Sequence, residues 1–332
     1  MRRRVNPPLP TVRGVGPARV RMPGPGSPDP VLRALDGLPT TAADYVQQRF
    51  PNDAAWFAHE VAAGRVRGDD GAVVTPATPY EAGASVWFHR PVPDEDAAPI
   101  TLDVLYEDEW ILAVDKPHGL CSTPKGENVR RSVVVAARCQ FHNDEISALH
   151  RLDRSTGGVL LLSKHAADRG VFHRMFQERT VTKTYWAVAR VNDRVGKEPV
   201  RVESRIRKIQ GVVQAFEEPG DVNAVTDIRL LERFTDDAGQ WGCYEIAPLT
   251  GRTHQIRVHM NSLGLPLRGD KLYPVPREDF DVEDPDNPMQ LIARSLTFTH
   301  PMTGETITVS SRLSPSAHTA RRSGASSELL TP

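Results

Sequence analysis

Apolar positions along this chain recur with two periods. Over residues 54–63, Trp56, Phe57, Val61 and neighbouring alanines fall on one side of a 3.6-residue repeat, and Gly64 follows, which predicts a helix stopped by glycine. An earlier helix through Gln48 is predicted from a Thr40 or Thr41 cap. Val171, Phe172, Met175 and Phe176 carry the same spacing and predict a helix over 166–179. Two more are predicted, over 133–139 and from near Arg252 to Gly264. Unbroken or β-branched runs instead predict strands at 110–114, in "GGVLLLSK", at 183–191 and at 243–250. Short strands are predicted at 72–75 and 85–89, and "LIARSLTFTHP" with "ETITVSS" predicts a closing hairpin. Hairpin signals mix with helices, and neither a regular βαβ alternation nor an internal repeat is visible. The expected fold class is α+β with a mixed, largely antiparallel sheet.

Composition then divides the chain. Its 332 residues, 39% of them hydrophobic, suit about two domains. Residues 1–38 are Pro- and Gly-rich, with seven Arg against two Asp, and are expected to form a flexible basic arm. Residues 39–92 read as a small module, "PVPDEDAAPI" as an acidic linker, 100–312 as the main domain and 313–332 as a disordered tail. Charge is balanced, 41 Lys+Arg against 42 Asp+Glu, so a polyanion-binding face must come from local clustering. Cys121, Cys139 and Cys243 are odd in number and far apart. This argues against a disulfide framework or a cysteine metal site and suits a reducing compartment. No apolar run is long enough for a membrane span, and no apolar core follows the basic "MRRRVNPPLP", so a cytoplasmic protein is expected.

Candidate chemistry centres on "HRLDRSTGGVLLLSK", where Asp153 stands between Arg151 and Arg154 beside a buried strand. Such a carboxylate is either a structural ion pair at a strand mouth or an ionised group able to act as nucleophile or base. "GRTHQIRVH" gathers Arg252, His254, Arg257 and His259; on a helix Arg252 and His259 would share a face, and the guanidinium forks suit phosphate or carboxylate. The two histidines are five apart with no acidic partner, which speaks against a metal. Tyr185, on one strand face with Lys183 and Ala187, is either a stacking platform for a base or a core tyrosine.

Taken together, "DKPHGL", "HRLDRSTGG", "KTYWAVA", "TGRTHQIRVHM", "GDKLYP" and "LTFTHPMTGE" resemble, in this order over about residues 100–310, the RluA family of RNA pseudouridine synthases. The resemblance implies that family's catalytic fold, rRNA or tRNA as partner, and isomerisation of uridine without metal or organic cofactor. It implies Asp153 as the catalytic carboxylate, Tyr185 stacked on the uracil, Arg257 paired with Asp153, and Arg151 filling the place of the extruded base. Arg154, Arg252 and His254 are expected to touch RNA. One departure stands out: Gly157 replaces the family's serine. "GRVRGDDGAVVTPATPYEAGASVWF" resembles a degenerate α-L RNA-binding module, with Asp69–Asp70 where an Asn-Gly turn is usual. The competing readings are a catalytically silent RNA-binding or ribosome-assembly protein and a histidine-dependent hydrolase or metalloenzyme using His254 and His259. A monomer is expected, with neither DNA nor membrane as partner.

Overall fold

The computed structural model describes residues 7–34, 38–90, 100–125 and 129–315. By its contacts the chain divides into two units, 1–96 and 97–332. Among the described residues no helix is long and apolar enough to cross a membrane.

In the first unit, β1 (Ala18–Arg21), α1 (Pro30–Ala34), α2 (Ala42–Arg49), α3 (Ala54–Ala62), β2 (Arg67–Gly68) and β3 (Ser85–Phe88) build a three-stranded sheet, ordered β1-β3-β2, with helices packed on it. The Thr41 hydroxyl caps α2 by accepting from Asp44 N at 3.1 Å, as its place before an apolar repeat predicts. Residues 18–34 correct the expected flexible arm. Val20 and Met22 alternate with Arg19 and Arg21, so one side of the strand joins the core with Tyr45, Phe57, Val86 and Phe88. Asp29 fixes the next step, capping Val31 N at 3.0 Å and accepting from the Tyr45 hydroxyl at 3.1 Å. The strand expected at 72–75 is reduced to one bridge, Arg67 to Val73. Asp69 accepts from Ser85 N and from the Trp87 indole, each at 2.8 Å, so this acid serves the module's own packing. The expected linker at 91–99 lies outside the described residues, as does the tail from 316 onward. Residues 313–315 of that tail are placed, and Leu313 N donates to Ser311 Oγ at 3.0 Å.

The second unit contains β4 (Asp103–Glu107), β5 (Ile111–Lys116), α4 (Val133–Gln140), β6 (Ser147–Ala148), β7 (Gly157–Ser163), α5 (Arg169–Gln177) and β8 (Thr182–Arg190). It continues with β9 (Val200–Lys208), β10 (Ala215–Glu218), β11 (Ala224–Asp236), β12 (Gly239–Pro248), α6 (Gln255–Ser262), β13 (Leu291–Thr299) and β14 (Thr306–Ser310). One sheet of 11 strands runs β10-β9-β11-β12-β8-β13-β7-β5-β4, with β14 on β13 and β6 on β7. Described neighbours pair antiparallel except β7 and β13, which are parallel at Gly157–Ile292 and Gly158–Ala293. The unbroken apolar run of β7 is explained by burial on both faces. Leu160 and Leu162 pack with Val133 and Ala137 of α4, while Val159 and Leu161 pack with Phe172 and Met175 of α5. Farther along the sheet, Ile256 and Met260 of α6 close a third core over Ala187, Ile228, Tyr244 and Ile246.

Gly158 lies where the sheet brings backbones closest. Its φ is +107°, and a Cβ there would sit 2.3 Å from the Ala293 carbonyl oxygen. Gly158→Ala should therefore cost roughly 2–3 kcal/mol, from overpacking against backbone combined with an unfavourable φ. The measurement is a denaturant midpoint, and a variant matching wild type would show that β7 and β13 yield freely.

Candidate active site

Asp153 sits in the loop between β6 and β7, and a second loop stitches that segment in place. Ser122 Oγ donates to Leu152 O at 2.8 Å and accepts from Leu152 N at 3.0 Å. The Gly119 amide donates to Arg154 O at 3.0 Å, and His118 Nδ1 donates to Ser155 O at 2.6 Å. Lys116, wholly buried, gives its Nζ to Pro117 O at 2.9 Å, Leu120 O at 2.6 Å and Arg154 O at 2.9 Å. Burial lowers this ammonium to about 7, while the nearby Cys121, Asp153 and Glu283 work in the other direction through their charges. "DKPHGL" is thus a clamp on the loop that carries Asp153. The clamp also explains Gly157: a Cβ there would lie 2.8 Å from His118 Nε2 and 2.9 Å from Leu313 Cδ1. The space of the expected serine is filled by these two side chains.

The Asp153 carboxylate is 32% exposed, so it is presented rather than sealed. Arg257 projects from α6, 7% exposed, and reaches Asp153 Oδ2 with Nη1 at 3.5 Å. Its stronger partner is Asp270, which the sequence reading did not single out. Arg257 Nε donates to Asp270 Oδ2 at 2.8 Å and Nη2 to Oδ1 at 2.6 Å, a bidentate pair whose carboxylate is fully buried. Asp270 Oδ1 also accepts from Leu272 N at 2.8 Å and Tyr273 N at 3.1 Å. The expected Asp153–Arg257 pair is therefore a long contact made by a guanidinium already aimed by another acid. Its clue lay in "GDKLYP", a stretch noted above without a role for its aspartate.

His254 precedes α6 with φ +56°, so the helix begins at Gln255 and not near Arg252. Gln255 makes this start, accepting from Arg252 N at 3.0 Å and from Thr250 Oγ1 at 2.7 Å. Arg252 and His259 therefore share no helix face, which corrects the expectation. Tyr273 Oη donates to Ala215 O at 2.7 Å and lies 3.0 Å from His254 Nδ1. With its one proton so used, the hydroxyl accepts from His254, which leaves Nε2 as that ring's acceptor. Burial lowers the imidazole, and the charges of Asp153 and Arg257 act on it in opposite directions. Tyr185, half-buried on β8 opposite Ala293 and Ile246, packs where two cores meet. Burial, then the charge of Asp153, pushes its phenol upward, so it stays neutral.

The other cations expected at RNA differ in state. Arg151 is exposed. Arg252 is exposed, with Nε on Asn223 O at 3.0 Å. Arg154 is engaged by an acidic segment, its Nε 3.2 Å from Glu283 Oε1, and it donates to the Asp281 carbonyl. Two histidines are structural. His259 bridges Thr226 Oγ1 at 2.8 Å and Ser204 Oγ at 3.0 Å, and burial lowers it to about 4. His150 accepts from Leu161 N at 3.1 Å and stacks on Phe176, and burial lowers it to about 3. Among the described residues no group of three or more His, Cys, Asp or Glu is arranged to hold a metal ion.

Comparison with known proteins places this arrangement. Residues 110–262 match the family model described as RNA pseudouridylate synthase. An uncharacterized RNA pseudouridine synthase of Synechocystis sp. is 33% identical over 270 residues, covering 79% of this chain and 86% of the relative. The dual-specificity RNA pseudouridine synthase RluA of Vibrio cholerae is 36% identical over 204 residues, covering 60% and 78%. Among solved structures, human RNA pseudouridylate synthase domain containing 1 superposes with a TM-score of 0.53 at 27% identity, covering 65% of this chain and 85% of that one. The chain belongs to the RluA family of RNA pseudouridine synthases, isomerases that act on uridine in RNA.

Proposed function

We propose that this enzyme isomerises particular uridines of structured rRNA or tRNA through Asp153, acting on a base flipped out of its stack. The observation that carries this reading is a partly exposed carboxylate held on a doubly stitched loop beside a buried, pre-aimed Arg257 and the neutral phenol of Tyr185. The reaction breaks the N1–C1′ bond, turns the base and joins C5 to C1′. The C5 proton leaves and N1 gains one, so no redox partner and no second substrate is required. Flipping costs a few kcal/mol, least for bases in loops. Tyr185 stacking on the uracil and Arg151 entering the vacated space would offset part of that cost. Arg252 and His254 complete the RNA contacts. The protein works as a cytoplasmic monomer without a cofactor, and its first unit is an accessory RNA-binding module.

The test is tritium release from [5-³H]uridine-labelled rRNA and tRNA transcripts by purified protein, followed by pseudouridine mapping in a deletion strain. Release from one class of transcript, and one mapped uridine that loses its mark on deletion and regains it on complementation, are expected. Absence of release from both transcripts would overturn the reading.

A further inference from the structure

The residues following "GDKLYP" are unexpected next to a site for a polyanion. Residues 278–286 hold six acids, Glu278, Asp279, Asp281, Glu283, Asp284 and Asp286, and no Lys or Arg. The segment is tied down at two places. Lys271 Nζ lies 2.8 Å from Asp279 Oδ2 and donates to Val282 O at 2.9 Å. Arg154 Nε lies 3.2 Å from Glu283 Oε1, and the same guanidinium donates to the Asp281 carbonyl. The Glu283 stem rests on the clamp loop, its Cγ 3.2 Å from where a Cβ of Gly119 would stand. The acids therefore bear directly on the loop of Asp153, through the residue next to it.

We propose that Arg154 is a phosphate subsite for RNA and that Glu283 is a built-in competitor occupying it in the free enzyme. The chemistry of the pair supports exchange. Both side chains are about one quarter exposed, 27% and 25%, and the Glu283 Oε1 that faces Arg154 is buried without a hydrogen bond, so the pair is an ion contact that a ligand bonding the guanidinium can replace. A phosphate can meet the planar guanidinium fork with two oxygens, whereas Glu283 meets it with one, at Nε. The neighbouring carboxylates repel any approaching RNA, and only an RNA that gains the Arg154 contact offsets that repulsion. RNA in general is thus held off from Asp153, and an RNA that binds does so by exchanging phosphate for carboxylate at Arg154. The salt dependence of binding should carry the signature of this exchange. Pairing Arg154 with a phosphate releases a counterion from the RNA, but the Glu283 carboxylate set free takes one up, so this contact adds little to the salt slope of the wild type.

The inference rests on RNA as substrate, and its test separates the two. Affinities of wild type, Glu283→Gln, Glu283→Asp, Arg154→Ala and the Arg154→Ala/Glu283→Gln double variant would be measured by filter binding to bulk tRNA and to oligo(U) over a series of salt concentrations. Glu283→Gln should bind both probes roughly 5–10-fold more tightly at low salt, with a log–log salt slope steeper by about 0.7–0.9, the increment for one additional phosphate contact. Glu283→Asp keeps the charge but shortens the reach, and it should show most of that gain. In the Arg154→Ala background the Glu283→Gln gain should vanish. A gain that persists there, or one absent from Glu283→Asp, would leave only the field of residues 278–286 and overturn the subsite. Unchanged affinity and slope in Glu283→Gln would overturn it as well. Thermal melting shows whether each variant is folded, and the two Glu283 variants give independent readings should one misfold. If wild type bound neither probe, the RNA reading itself would fall, and the subsite with it.

Discussion

Asp153→Asn is expected to lose on the order of 10⁴-fold or more in kcat for pseudouridine formation, the size of loss seen when a group central to a multi-residue chemical step is removed. The fold should survive. The carboxylate is 32% exposed, and its hydrogen bond to Arg257 is long, 3.5 Å, while Arg257 keeps both bonds to Asp270. Backbone bonds hold the loop independently of that side chain: Thr156 N to Asp153 O at 3.0 Å and the Ser122 pair on Leu152. An isosteric amide should therefore change stability by less than about 1 kcal/mol, because the lost contact is long and Arg257 keeps its buried partner. Single-turnover tritium release and a melting curve on one preparation check both parts. Activity within tenfold of wild type would remove Asp153 from the chemistry, and an unfolded variant would show that the carboxylate is structural.

The sequence pattern reveals some of this architecture and hides the rest for identifiable reasons. An unbroken apolar run such as Val159–Leu160–Leu161–Leu162 is legible because a strand covered on both faces has no polar position to show. Strands β9 to β11 escape notice because one of their faces meets water. Arg201, Glu203, Arg205 and Arg207 dominate the wording of β9, while Val202, Ser204 and Ile206 alternate beneath them. The start of α6 is displaced because His254 adopts φ +56° and Gln255 caps the turn with its side chain, which no helical period encodes. Composition misleads at 18–34, where prolines and glycines conceal the two-residue alternation of Val20 and Met22. In the site, Asp153, Tyr185 and Arg257 stand in recognisable wording. Asp270 is one acid in a turn, and its importance appears only once folding brings Arg257 to it. The occupation of Arg154 by Glu283 joins residues far apart in the chain, beyond the reach of any local pattern.

Asp270→Asn should be the most destabilising single change at the site, and it should also slow catalysis. Arg257 is 7% exposed and the Asp270 carboxylate 0%, so the variant leaves a buried guanidinium with only its long contact to Asp153. Breaking such a pair from one side costs about 3–5 kcal/mol. At roughly 2–4 °C per kcal/mol for a unit of this size, the melting temperature should fall by about 10 °C. The amide oxygen can still accept from Leu272 N and Tyr273 N, but its NH₂ then faces the N–H groups of Arg257. The guanidinium would turn toward its remaining acid, Asp153, shortening the present 3.5 Å contact and drawing that carboxylate away from the substrate. Misplacement of about 1 Å can cost on the order of 10²-fold in rate, so kcat should drop by about that factor, with a smaller change in KM. A double variant, Arg257→Met with Asp270→Asn, separates the two effects. It removes the uncompensated buried charge, and the amide oxygen still accepts from Leu272 N and Tyr273 N, so it should regain most of the lost stability. It should not regain activity, because Asp153 then lacks its cation. Recovery of activity together with stability would mean that the pair only props the fold, whereas stability without activity shows that Asp153 needs the Arg257 cation, and the kcat loss of Asp270→Asn alone then reports how far that cation depends on Asp270 for its aim.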